Sequence, residues 1–123
     1  MACARFRDLV GAAGEGVQFP LLFPPGTGDG ELRRFAADFE AELGHSADFT
    51  ATLTYDATRL LIECIRQAGP NRLRIRDALS RTAAWPGLSG PIQFDGTGQN
   101  RRTDVGMGTI QKGTIVPVHR AGP

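Results

Sequence analysis

Sulfur, lysine and long apolar runs are scarce in this sequence, and each scarcity excludes something. Two cysteines in 123 residues, Cys3 and Cys64, are too few to staple a fold or to build a zinc site. No apolar run approaches the ~20 residues of a membrane-spanning helix. The opening Met1-Ala-Cys-Ala-Arg-Phe-Arg7 lacks a hydrophobic signal core, so no export address is expected on the chain itself. Charge of one sign is also lacking. Fourteen Lys and Arg against 13 Asp and Glu leave +1, which gives no electrostatic reason to expect nucleic acid or an anionic membrane. Lysine supplies only one of those 14 cations, a sign of genomic base composition more than of chemistry.

What is present describes an ordinary soluble domain: 41% hydrophobic and 22% charged, with 16 Gly and 8 Pro. That composition lies outside the low-complexity range. The length permits a modest core that buries roughly two-thirds of the unfolded surface. The charge is unevenly distributed. Residues 1–62 hold 5 Arg against 9 acids, net −4, and residues 63–123 hold 9 cations against 4 acids, net +5. This split favours contact between halves or between copies packed head to tail, and it equally describes two differently charged solvated faces.

The periodicity orders the elements. Phe6, Leu9 and Val10 suggest a helical start that Gly11-Ala-Ala-Gly14 breaks. A short strand is expected from Gly16 to Phe19, running on through Pro20-Leu-Leu-Phe23, before a loop over Pro24–Gly30. Leu32, Phe35, Ala36, Phe39 and Leu43 fall on one helical stripe that Gly44 ends in a left-handed conformation. Leu53, Ala57, Leu60, Leu61, Cys64, Ile65 and Ala68 predict a second helix, stopped at Gly69-Pro70. Asn71 caps a third, in which Leu73, Ala78 and Leu79 are the apolar positions. After Trp85-Pro-Gly87 the period becomes extended. Pro91–Phe94 alternates, Asp95–Gly98 turns, and Val105–Gln111 and Thr114–Val118 flank a tight turn at Lys112-Gly113.

The candidate sites read as structure. Gly26-Thr-Gly28-Asp-Gly30 lies before a helix, but no Lys-Ser/Thr follows it, and Asp29 would stand where a phosphate belongs. Asp95 and Asp104 supply too few oxygens for a calcium loop. His45 and His119 have no partners at ligand spacing and read as solvated, and Cys64 reads as a buried, inert thiol. Ser46 is merely adjacent to His45, and there is no Gly-x-Ser-x-Gly elbow to support Ser80 or Ser89 as a nucleophile. No catalytic residue, metal site or cofactor is therefore assigned, and the chain is not expected to be an enzyme.

Three stretches together carry a resemblance: Ala12-Ala-Gly-Glu15-Gly16-Val17, Tyr55-Asp56-Ala57-x-x-Leu60-Leu61, and Gly87-Leu-Ser-Gly90-Pro91-Ile-Gln-Phe94-Asp95-x-x-Gly98. In this order and spacing they resemble the C-terminal part of type I periplasmic binding proteins. The subgroup is the Leu/Ile/Val-type substrate-binding components of ABC transporters. Independently of that likeness, Tyr55 and Asp56 read as an aromatic anchor and a dipole-favoured carboxylate in the first turn of a helix.

The resemblance implies an α/β fold of two lobes that close by hinge motion on a small polar ligand such as an amino acid. Residues 1–123 would form a single partial domain, roughly the closing third of that fold, with strand, three helices and a C-terminal β-meander. A crossover is expected near residues 19–25, with Phe23 and Pro24 as hinge. Phe49 and Thr50 become candidate ligand contacts, although the family pattern has an apolar residue where Thr50 stands. Tyr55 and Asp56 are assigned a structural role. An ABC permease would be the partner of the full-length protein, which is periplasmic. This chain, made as it stands, would be cytoplasmic. Two other readings remain beside it: a self-associating structural module, expected as a homo-oligomer because its helices lack their sheet, and a ligand-sensing regulator of the same fold.

Overall fold

A computed structural model describes residues 4–21, 30–101 and 106–118. The proposed hinge pair Phe23 and Pro24, the glycine-rich stretch up to Asp29, and Cys3, Asp104 and His119 lie outside the described residues. The elements are α1 (Ala4–Val10), a 3-10 turn (Gly11–Gly14), β1 (Gln18–Leu21), α2 (Gly30–Leu43), α3 (Phe49–Ala68) and α4 (Arg72–Ser80). The strands β2 (Trp85–Gly87), β3 (Gly90–Ile92), β4 (Gly106–Gln111) and β5 (Thr114–Val118) follow. This is the expected α/β order of strand, three helices and C-terminal strands. The chain divides into two compact units, Met1–Phe49 with Asp104–Pro123, and Thr50–Thr103.

The first unit is built on an antiparallel sheet in the order β1-β4-β5. Phe19 faces Gly108 across the first pair, and Ile110 faces Ile115 across the second. Phe19 and Ile110 are buried, Ile110 almost completely. Both edge strands carry a proline, Pro20 in β1 and Pro117 in β5. A proline is tolerated only where no ladder donor is required, and it discourages further strands from adding. Strand β1 begins two residues later than the pattern suggested, because Gly16 adopts φ +78° and turns the chain first. The Gly16 N–H then donates to the Ile110 carbonyl at 2.9 Å. The turn joining β4 to β5 has φ of +51° at Lys112 and +71° at Gly113, the two left-handed residues of a type I′ hairpin.

Helix α2 ends as its sequence predicts, at Gly44 with φ +72°, whose N–H donates to the Glu40 carbonyl. Its stripe packs Phe35 against Phe39, with ring centroids 5.8 Å apart, yet no residue of the helix is buried.

In the second unit, Leu60, Cys64 and Ile92 form the core, with Ile75, Ala78, Leu79, Trp85 and Phe94 packed around them. Cys64 is a free, buried thiol. The buried line on α3 is Thr52, Asp56, Leu60 and Cys64, four residues at i, i+4 spacing. The predicted stripe shares only Leu60 and Cys64 with it. Leu61 and Ile65 are 42% and 38% exposed, because the polar Thr52 and Asp56 take the inward positions. On α4, Leu73 is exposed and Ile75 packs inward instead. Asn71 caps that helix, its Oδ1 accepting from the Leu73 and Arg74 amides at 3.1 and 3.2 Å. Strand β2 pairs with β3 so that Pro86 faces Pro91. The pattern did not foresee β2, because a three-residue Trp-Pro-Gly strand has no alternation to read.

Candidate functional site

Asp56 organises the second unit. Its side chain is 1% exposed, on the inward line of α3. Oδ1 accepts from the Leu88 amide and Oδ2 from the Ser89 amide, both at 2.8 Å. One helical carboxylate thus holds the two central residues of the β2–β3 hairpin, and charge-assisted bonds of this kind are about twice as strong as neutral ones. A Cβ added at Gly87 would stand 2.7 Å from Asp56 Oδ2 and 2.9 Å from its Cγ. Glycine is what allows the backbone to approach so closely. The sequence pattern alone puts Asp56 in the first turn of a helix, where the dipole favours a carboxylate. The helix begins at Phe49, so Asp56 lies two turns further in and acts through hydrogen bonds. Tyr55 is 37% exposed, with the Arg59 guanidinium 5.7 Å from its ring centroid.

Glu15 plays a similar part in the first unit. Its Oε1 accepts from the Lys112 amide at 2.8 Å across the tight turn. Gly14 before it is buried where a Cβ would meet Val10 and come within 3.2 Å of Ile110. Both carboxylates belong to the motifs noted above, yet neither role was visible before the elements were placed.

The candidate contacts Phe49 and Thr50 open α3. Phe49 is half-buried and Thr50 exposed, and the division between the two compact units falls between them. The second unit has an open groove of about 290 Å³, walled by Leu60, Cys64, Ala78 and Trp85 with Glu63 and Arg81 among the polar lining groups. Neither Phe49 nor Thr50 lines it. At its edge the Trp85 Nε1–H donates to Glu63 at 2.8 Å, and Gln67 donates to the other Glu63 oxygen at 3.2 Å. The Asp95 turn is a closed arrangement of its own. Asp95 Oδ1 accepts from the Thr97 hydroxyl at 2.6 Å and from the Thr97 and Gln99 amides at 2.8 and 2.9 Å. These donors hold its carboxyl below the usual carboxylate range, the Thr97 hydroxyl contributing most.

Among the described residues no group of three or more His, Cys, Asp or Glu comes together as a metal site, and no helix is long and apolar enough to cross a membrane. His45 is exposed, its ring edge on Phe39 at 5.4 Å.

A family model for periplasmic binding proteins matches residues 4–114. The chain belongs to the periplasmic binding protein family. That family consists of solute-binding proteins, and solved structures with the type I fold match this member across nearly its whole length. The leucine-binding protein LivK of Thermotoga maritima superposes with a TM-score of 0.82 at 23% identity, covering 95% of this chain and 34% of its own. LivJ of Streptococcus pneumoniae, in complex with isoleucine, gives 0.79 at 21%, covering 94% and 34%. A solute-binding protein of an ABC transporter from R. palustris, in complex with benzoate, gives 0.76 at 21%, covering 91% and 31%. The chain therefore spans about a third of the length of the structures it matches. No curated protein matches it in sequence. The resemblance carried by the Asp56 and Gly87 motifs was to this fold.

Proposed function

We propose that this chain is the C-terminal part of a solute-binding protein for ABC import, of the branched-chain amino-acid type. The observation that carries the reading is the family match over residues 4–114, together with the superposition on a leucine-binding protein. In the complete protein, two lobes would close on a small polar ligand and present it to a permease in the periplasm. Phe49 and Thr50, at the N-terminal end of α3, would face that ligand, and Phe23 with Pro24 would lie in the hinge. The chemistry is recognition without bond making, so no catalytic residue is assigned.

A cleft ligand is bound by convergent polar groups on opposing walls, and a third of the fold supplies few of them. The isolated chain is therefore expected to bind such ligands weakly. Calorimetry and thermal-shift measurements with leucine, isoleucine, valine and phenylalanine test this. The expected outcome is no saturation in the micromolar range; micromolar affinity for any of them would overturn it.

A second reading concerns the chain's own association. Leu61, Ile62 and Ile65 expose 42, 43 and 38% of their surface on one helix. Clustered apolar exposure of that kind favours partners, so the isolated chain self-associates.

A further inference from the structure

We propose that α4 rests in the headgroup layer of an anionic lipid bilayer, with Leu73 inserted and the arginines around it on lipid phosphates. Leu73 is 68% exposed, while Ile75, Ala78 and Leu79 of the same helix pack on the core. A single exposed leucine needs no explanation by itself; its setting supplies one. On a helical projection, Leu73 lies opposite the inward side of Ile75, Ala78 and Leu79. Arg72 and Arg76 flank it on one side and Arg74 and Arg81 on the other, all four exposed. A helix lying in a membrane interface has this cross-section in a wider form. Its apolar residues point into the acyl boundary, and long cationic side chains on both flanks reach back to the phosphates.

The arginines also have little internal competition. The unit that carries α4 holds 8 cations against 4 acids, net +4, although the whole chain carries only +1. Three of those acids are engaged within the unit. Asp56 accepts from the Leu88 and Ser89 amides, Glu63 from Trp85 and Gln67, and Asp95 from Thr97 and Gln99. The fourth, Asp77, stands beside Leu73 on the outward face. Among the described residues, none of Arg72, Arg74, Arg76 and Arg81 has an ion-pair partner. A bilayer suits this face better than a macromolecule does. The nine residues of α4 span about 14 Å, too little for the ~800 Å² that each side of a standard protein interface buries. A nucleic acid would meet the arginines and leave Leu73 in water. A lipid surface requires no fixed area, and each cation near it strengthens binding about fivefold.

Sedimentation of the full chain with vesicles tests the assignment, using phosphatidylcholine and phosphatidylglycerol in a three-to-one ratio, with pure phosphatidylcholine as the reference. The expected result is binding to the mixed vesicles alone, released as salt rises. Arg72→Ala with Arg74→Ala, one from each flank, should weaken binding about twentyfold, and Asp77→Asn should strengthen it about fivefold. Leu73→Ser should weaken it about tenfold. All these side chains lie outside the core, so each variant should keep the far-ultraviolet circular dichroism of the parent. Arg33→Ala, on α2, should bind as the parent does. Equal binding to both kinds of vesicle, or binding to neither, would overturn the proposal. So would a Leu73→Ser variant that binds like the parent. Tighter capture of the chain by a single-stranded oligonucleotide or by polyglutamate than by the mixed vesicles would assign the arginines to another polyanion and overturn it too.

Discussion

The Ser89 amide donates to Asp56 Oδ2 at 2.8 Å across 33 positions of sequence. With the matching bond from Leu88, it ties the middle of α3 to the β2–β3 hairpin, and a buried carboxylate takes the place that an apolar residue would hold in a simpler core. Removing the carboxylate leaves two inward-facing amides without an acceptor, and such losses cost more than the bonds themselves gain. Asp56→Ala should therefore destabilise the fold by about 3 kcal/mol. Asp56→Asn should destabilise it less, since one carbonyl oxygen remains to accept. Urea unfolding followed by circular dichroism measures both, and a midpoint unchanged in Asp56→Ala would contradict the role given to this residue.

Gly87→Ala tests the same junction from the other side. The added methyl would press on Asp56 Oδ2 at 2.7 Å, and overpacking of that kind costs about 2 kcal/mol. The two substitutions should couple. In an Asp56→Ala background the Gly87→Ala change should cost distinctly less than alone, and strict additivity in the double-mutant cycle would contradict the close approach.

The contrast between what was legible and what was not follows from the range of each interaction. Gly44, Gly69 and Asn71 mark helix ends through bonds spanning a few residues, so their roles can be read locally. The Lys112-Gly113 turn is local in the same sense. The pairing of β1 with β4, which sets Gln18 opposite Thr109, depends on chain separated by most of the sequence. Hydrophobicity is the only local guide to the inward face of α3, and it leaves the buried Asp56 and Thr52 off that face. Their burial depends on acceptors and donors elsewhere, Leu88 and Ser89 for Asp56. The sequence marked Asp56 and Gly87 only as members of two motifs, and the structure supplies their connection. The proposed ligand contacts Phe49 and Thr50 carry no local mark at all, since a ligand contact is defined by opposing groups that a helix terminus does not specify.

The Lys112-Gly113 turn offers a stabilising change. Lysine at φ +51° holds a left-handed conformation that asparagine tolerates better, and Asn-Gly is the preferred type I′ pair. Lys112→Asn should raise stability by about 0.5 kcal/mol, and Gly113→Ala at φ +71° should lower it by about 1 kcal/mol. Thermal unfolding of both variants checks the opposite signs.

Asp95 gives a prediction about pH. Its carboxyl is held below the ordinary carboxylate range, first by the Thr97 hydroxyl and then by the Gln99 and Thr97 amides. A depressed folded-state value contributes stability that is present above the ordinary carboxylate range and is lost as pH falls through the folded value. The side-chain carbon resonance of Asp95 should titrate below that range. Thr97→Val, which removes the hydroxyl donor, should move the midpoint upward, and an unmoved midpoint would contradict the assignment.

The most direct test of the solute-binding account is an amide chemical-shift titration of the chain with leucine. The predicted result is a progressive movement of the Phe49 and Thr50 resonances that continues into the millimolar range without saturating below it. Saturation at micromolar leucine, or movement confined to residues away from the start of α3, would contradict it.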